Sequence, residues 1–130
     1  MSAVVVGYVP SAEGRAALAR GVEEARLRAA RLVVVNTTRG DSLVDERYVQ
    51  GAEVDALQAE LAALDVPTEL RQLSAGRDVA EELDDVATEV DASLIVIGLR
   101  RRSQVGKLIL GSATSRILLT AGCPVLSVKA

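Results

Sequence analysis

At 130 residues the chain is long enough to bury a core without disulfide or metal staples. It has no histidine and one cysteine, Cys123, which removes the commonest general base, the commonest zinc ligand, any Ser-His-Asp or Cys-His arrangement and any internal disulfide. A net charge of −3 argues against general nucleic-acid binding, leaving room only for a local basic patch.

The core has to be aliphatic, because there is no Phe, no Trp and only Tyr8 and Tyr48. The longest apolar runs are four or five residues, far short of a membrane span. Residues 1–7 lack a basic region and lead straight into a strand, so no signal peptide is expected. With the lone thiol, this makes a reducing cytoplasm the expected location.

In chain order, residues 3–9 predict a first strand closed by Pro10. Ser11 caps a first helix whose apolar stripe is Leu18, Val22, Ala25 and Ala29, at i, i+4, i+7 and i+11. Residues 32–37 form a second strand, and 39–42 a turn. A second helix begins near Val44, marked by Leu57, Leu61 and Leu64, with Gly51 a weak point inside it. Pro67 follows its end, and residues 68–73 alternate polar and apolar like a half-covered edge strand.

The third helix carries the stripe Val79, Leu83, Val86 and Val90. Its other face is acidic (Asp78, Glu81, Glu82, Asp84, Asp85, Glu89) and reads as solvated surface. Residues 93–97 are a short β-branched run suited to a buried strand. Residues 113–121 form a fourth helix with Ser112 as its N-cap, and 124–128 a closing strand. Strands alternating with helices imply an open parallel sheet covered on both faces. The expected core is Val4, Val6, Leu18, Val22, Val33, Val35, Leu83, Val86, Leu94, Val96, Ile117 and Leu126.

Residues 98–112 carry the chemistry. A strand ends near Gly98, a loop brings Arg100, Arg101, Arg102 and Lys107, and Gly111-Ser112 opens a helix. Helix starts present unpaired N–H groups and a positive dipole end, so this pattern suits a phosphate. The bland alternative is a solvated loop whose arginines pair with acidic neighbours. Gly106-Lys107 is followed by Leu108, which excludes a P-loop.

This run resembles the carboxy-terminal signature of the universal stress protein family: Gly, two residues, Gly, nine residues, Gly, then Ser or Thr. Gly98, Gly111 and Ser112 match, and Arg101 stands where the family has its middle glycine. The resemblance extends to the order of elements over residues 1–130 as a single domain. It implies a Rossmann-like, adenine nucleotide alpha hydrolase-like α/β fold with a five-stranded parallel sheet in order 3-2-1-4-5. A crevice then opens where the order reverses, between strands 1 and 4. Adenine and ribose would lie near Tyr8, Val9 and Thr37. Phosphates would rest on the N–H groups of Ser112, Ala113 and Thr114, helped by the Ser112 hydroxyl and by Arg101 or a neighbouring arginine. Gly98 would let the chain turn beneath the ligand, and Gly111 would open the helix without a side chain in the way.

The implied cofactors are ATP or AMP, with Mg2+ accompanying ATP and no structural metal. The implied assembly is a homodimer through the last strand, residues 125–128. Two departures matter. Family nucleotide binders usually carry Asp after strand 1, where this chain has Val9, so sugar recognition comes from backbone groups, Tyr8 or Thr37, or is absent. Arg101 adds a Cβ where backbone would approach phosphate, and also a guanidinium suited to phosphate.

Three functions compete. The leading one is a cytoplasmic adenine-nucleotide-binding regulatory module of the stress response. The second is a structural or interaction dimer of the same fold without nucleotide, favoured by Val9 and Arg101. The third is an enzyme, at most a slow ATPase, for which no catalytic set is assembled. Nucleic-acid binding by Arg100, Arg101 and Arg102 lacks the aromatic platforms that stacking needs.

Overall fold

Valine-rich segments with no polar face become the central strands. A computed structural model describes residues 2–37, 44–73, 76–100 and 110–130, with side chains from residue 51 onward in the second segment. Its strands are β1 (Ala3–Tyr8), β2 (Arg31–Asn36), β3 (Thr68–Gln72), β4 (Ala92–Leu99) and β5 (Val125–Lys129). All pair in parallel, in the order β3-β2-β1-β4-β5. Parallel pairing is what the alternation of strands and helices predicts, and the order is the one the family resemblance implies.

The period-two alternation of each strand sorts the core into two layers. Val4, Val6, Leu32, Val34, Leu94 and Val96 face α1 (Ala12–Arg28) and α2 (Val44–Ala62). Val5, Val33, Val35, Ile95 and Ile97 face α3 (Val79–Glu89) and α4 (Ser112–Thr120). Each such side chain, fully buried, stabilises by about 1.5–3 kcal/mol relative to exposure. Every expected core residue is buried except Leu126, which is partly buried against the α1/α2 layer. The reason is position: β5 closes the sheet as an edge and only one of its sides is paired.

Two other expectations need correction. The acidic residues of α3 are not simply solvated. Asp78 caps α3 by accepting from Glu81 N at 3.1 Å, and accepts from Arg116 of α4 at 2.7 Å. Asp84 accepts from Gly122 N at 3.2 Å, Glu82 and Asp85 pair with Arg77, and Glu89 pairs with Arg71. These contacts help tie α4 and the edge strand β3 to α3. The second correction concerns Ser112, which is the first residue of α4; Gly111 is its N-cap.

Candidate functional site

β1 ends at Tyr8, and the chain turns through Val9 and Pro10 into α1. Ser11 N donates to Val9 O at 2.8 Å, and Ser11 Oγ accepts from Gly14 N at 3.2 Å. The first turn of α1 then lies directly on backbone. A Cβ at Gly14 would stand 1.7 Å from Val9 O, and one at Gly98 would stand 2.0 Å from Glu13 O. Gly98 lies within β4, not beyond it, so its first duty is to admit the backbone of α1 rather than to turn the chain.

That close approach leaves an opening where the strand order reverses. A cavity of about 700 Å³ sits there, within the size range of small-molecule sites. Leu83, Ile97 and Ile117 give it apolar walls, and Val9, Pro10 and Thr37 line it from the ends of β1 and β2. Glu13 of α1, Gly98 of β4 and Arg100 just after β4 line it, as do Gly111, the N-cap of α4, and Ala113 and Thr114 within that helix.

The helix starts at this cavity differ. Ser11 caps α1 and Asp78 caps α3 with a side-chain oxygen. Gly111 gives α4 no side-chain cap. The first N–H groups of an α-helix have no partner within the helix, so, among the described residues, α4 presents donors without a side-chain cap and the positive end of its dipole on the side of Ala113 and Thr114.

Two charged groups belong to the same wall. Glu13 Oε1 lies 3.5 Å from Arg100 Nε. The Glu13 carboxyl is held below its ordinary range, first by its own backbone N–H and then by the Ser11 hydroxyl and Arg100, against an opposing push from burial. Cys123 lies elsewhere, packed against the α3/α4 layer, where burial and then Asp84 push its thiol up. Among the described residues no group of three or more His, Cys, Asp or Glu could hold a metal ion.

Of the residues singled out in the sequence, Val9, Thr37, Gly98, Gly111, Ala113 and Thr114 come together on the cavity. Tyr8 does not line it. Strand alternation turns its ring into the α1/α2 layer, where its hydroxyl accepts from Arg15 Nη1 at 3.3 Å. Its carbonyl still accepts from Thr37 N at 2.8 Å and Thr37 Oγ1 at 3.0 Å, which fixes that corner. Ser112 is exposed and not among the lining residues. Arg101, Arg102 and Lys107 lie outside the described residues. Sequence reasoning missed Glu13, Gly14 and Arg100 as a group. The available signal was a Ser-x-Glu-Gly turn placed immediately after the first strand.

Comparison with known proteins bears on the family and the fold. The family model of the universal stress protein family matches residues 1–129. A universal stress protein of Mycolicibacterium smegmatis is 47% identical over 126 residues, covering 97% of this chain and 96% of the relative. The structure of a universal stress protein from Archaeoglobus fulgidus superposes with a TM-score of 0.79 at 31% identity, covering 99% of this chain and 98% of that one. A structure of the universal stress protein from the same organism in complex with dAMP superposes with a TM-score of 0.73 at 26% identity, again covering 99% and 98%. The chain belongs to the universal stress protein family.

Proposed function

We propose that this protein is an adenine-nucleotide-binding regulatory module that works as a homodimer in the cytoplasm. The observation that carries the reading is the start of α4, without a side-chain cap among the described residues, on a cavity of about 700 Å³ at the switch point of the sheet. The similar Archaeoglobus fulgidus protein solved with dAMP supports an adenine nucleotide as the ligand. In this reading base and ribose lie toward Val9 and Thr37, and the phosphates lie on the N–H groups of Ser112, Ala113 and Thr114. A charge-assisted hydrogen bond contributes about 1.5–3 kcal/mol, so two or three of them hold a nucleotide at roughly micromolar strength. Mg2+ would arrive on the phosphates of ATP.

The dimer part of the proposal rests on β5. It is an edge strand with Val125, Leu126, Ser127 and Val128 half-buried, and among the described residues no strand pairs with its outer side, which suits pairing with a second copy. Sedimentation at micromolar concentration is expected to show a dimer, and a monomer there contradicts it. Calorimetric titration with ATP, ADP, AMP and a cyclic dinucleotide tests the ligand, with heat expected for at least one adenine nucleotide. Val9, which offers no carboxylate to a ribose, favours the second reading, a structural dimer. That reading takes over if no adenine nucleotide gives heat or a thermal shift at millimolar concentration.

A further inference from the structure

The cavity wall holds an ion pair that the nucleotide reading leaves without a task. Glu13 and Arg100 both line the cavity, and Glu13 Oε1 is 3.5 Å from Arg100 Nε. The partners are unequal: the Glu13 side chain is 17% exposed and that of Arg100 is 72% exposed. Glu13 is also the better fixed. Its backbone rests against Gly98, and its carboxylate accepts from its own N–H and from the Ser11 hydroxyl. Ser11 is fixed in turn by accepting from Gly14 N.

A carboxylate offers about four acceptor sites. Here Arg100 lies 3.5 Å from one carboxylate oxygen, and the residue's own N–H and the Ser11 hydroxyl also favour the ionised form. The same arrangement suits the aiming of a cation. A guanidinium has five N–H donors in a planar fork. Held by a carboxylate at Nε, it keeps its terminal amino groups for an anion. Among the described residues Glu13 is the one acidic partner of Arg100.

We propose that Arg100 is a cation that recognises the ligand's phosphates and that Glu13 is the positioning residue that aims it into the cavity. The proposal rests on the nucleotide reading above and gives the phosphate role to an arginine among the described residues. It also separates ligand effects from stability, since an ion pair exposed on one side contributes little to the fold.

Calorimetric titration of the full chain with adenosine, AMP and ATP tests it, in the parent, Arg100→Gln, Glu13→Gln, Glu13→Asp and the Arg100→Gln/Glu13→Gln double variant. Arg100→Gln should weaken ATP about tenfold, AMP less, and adenosine not at all. Glu13→Gln should weaken ATP in the same graded order by about threefold, and Glu13→Asp should recover most of that loss. The double variant should match Arg100→Gln alone, because Glu13 acts through Arg100. Equal losses for adenosine and ATP in Glu13→Gln would place its effect on the sugar or the fold, and tighter ATP binding would show charge repulsion; either overturns the proposal. Arg100 is exposed, so Arg100→Gln should fold and remains a test even if the Glu13 variants do not fold; an ungraded response from it also overturns the proposal. A parent that binds neither ATP nor AMP refutes the nucleotide reading instead, which is a separate outcome.

Discussion

Of the helices that line the cavity, α1 and α4 are held in opposite ways. α1 buries Gly14, Ala17, Leu18, Gly21, Val22, Glu24 and Ala25 and touches strand backbone through its first turn. α4 buries Ile117 alone, leaves Leu118 and Leu119 exposed, and leans on α3 through Arg116. One wall is locked by packing; the other, among the described residues, rests on one buried side chain and on the polar contacts of Arg116 and Gly122 with α3. The helix start without a side-chain cap belongs to the lightly held wall. A phosphate bound there would satisfy its N–H groups and stabilise the helix that carries them, linking ligand and local stability.

The largest expected effect breaks the locked side. Gly98→Val should destabilise by about 3 kcal/mol or more, because the new side chain meets the carbonyl of Glu13 and not a movable side chain. Chemical denaturation measures it, and a midpoint within error of the parent would show that α1 is not seated as described. Ile117→Ala, the corresponding break on the other side, should cost about 2–3 kcal/mol. Leu119→Ser, at an 84% exposed position on the same helix, should stay within about 0.5 kcal/mol. Similar losses at the two positions would overturn the picture of one anchor.

Gly111→Val sharpens the comparison differently. Among the described residues a Cβ there meets nothing within 4 Å, and φ is −68°, so stability should change by no more than about 0.5 kcal/mol. ATP binding should nonetheless be abolished, because the added side chain stands at the start of α4. Retained binding in a folded variant would move the phosphate elsewhere. Arg116→Ala should cost only about 0.5 kcal/mol, diminishing in high salt, as for a partly exposed ion pair.

The smallest effect concerns pH. Glu13 has its folded-state pKa lowered below its ordinary 4.5, first by its own N–H. Its contribution is therefore present above the unfolded value and lost as pH falls through the folded one. Glu13→Gln protein should lose slightly less stability than the parent between neutral pH and about pH 3. Identical acid titrations would mean the carboxylate is not held.

The sheet was legible in the sequence because its signals are local. Runs such as residues 3–6 and 94–97 have no polar face, and Ser11 followed by a stripe from Leu18 to Ala25 marks a helix start. Part of the cavity was legible for the same reason: a Gly-Ser pair opening a helix announces its own donors. What the sequence could not show is which side chains meet across elements. The ring of Tyr8 leaves the cavity because of strand parity, although its carbonyl stays near. Gly98 looked like a turn residue, yet it is small because the first turn of α1, eighty-odd positions earlier in the chain, lies against it. Glu13 and Arg100 are equally far apart in sequence and meet only in the folded chain.

The central claim is that phosphates rest on the first turn of α4, and amide NMR during an ATP titration reads those groups directly. The account predicts that the Ser112, Ala113 and Thr114 amide resonances move with ATP, move less with AMP and hardly at all with adenosine. Unmoved amides at those three positions with millimolar ATP, or shifts of equal size with adenosine, would contradict it.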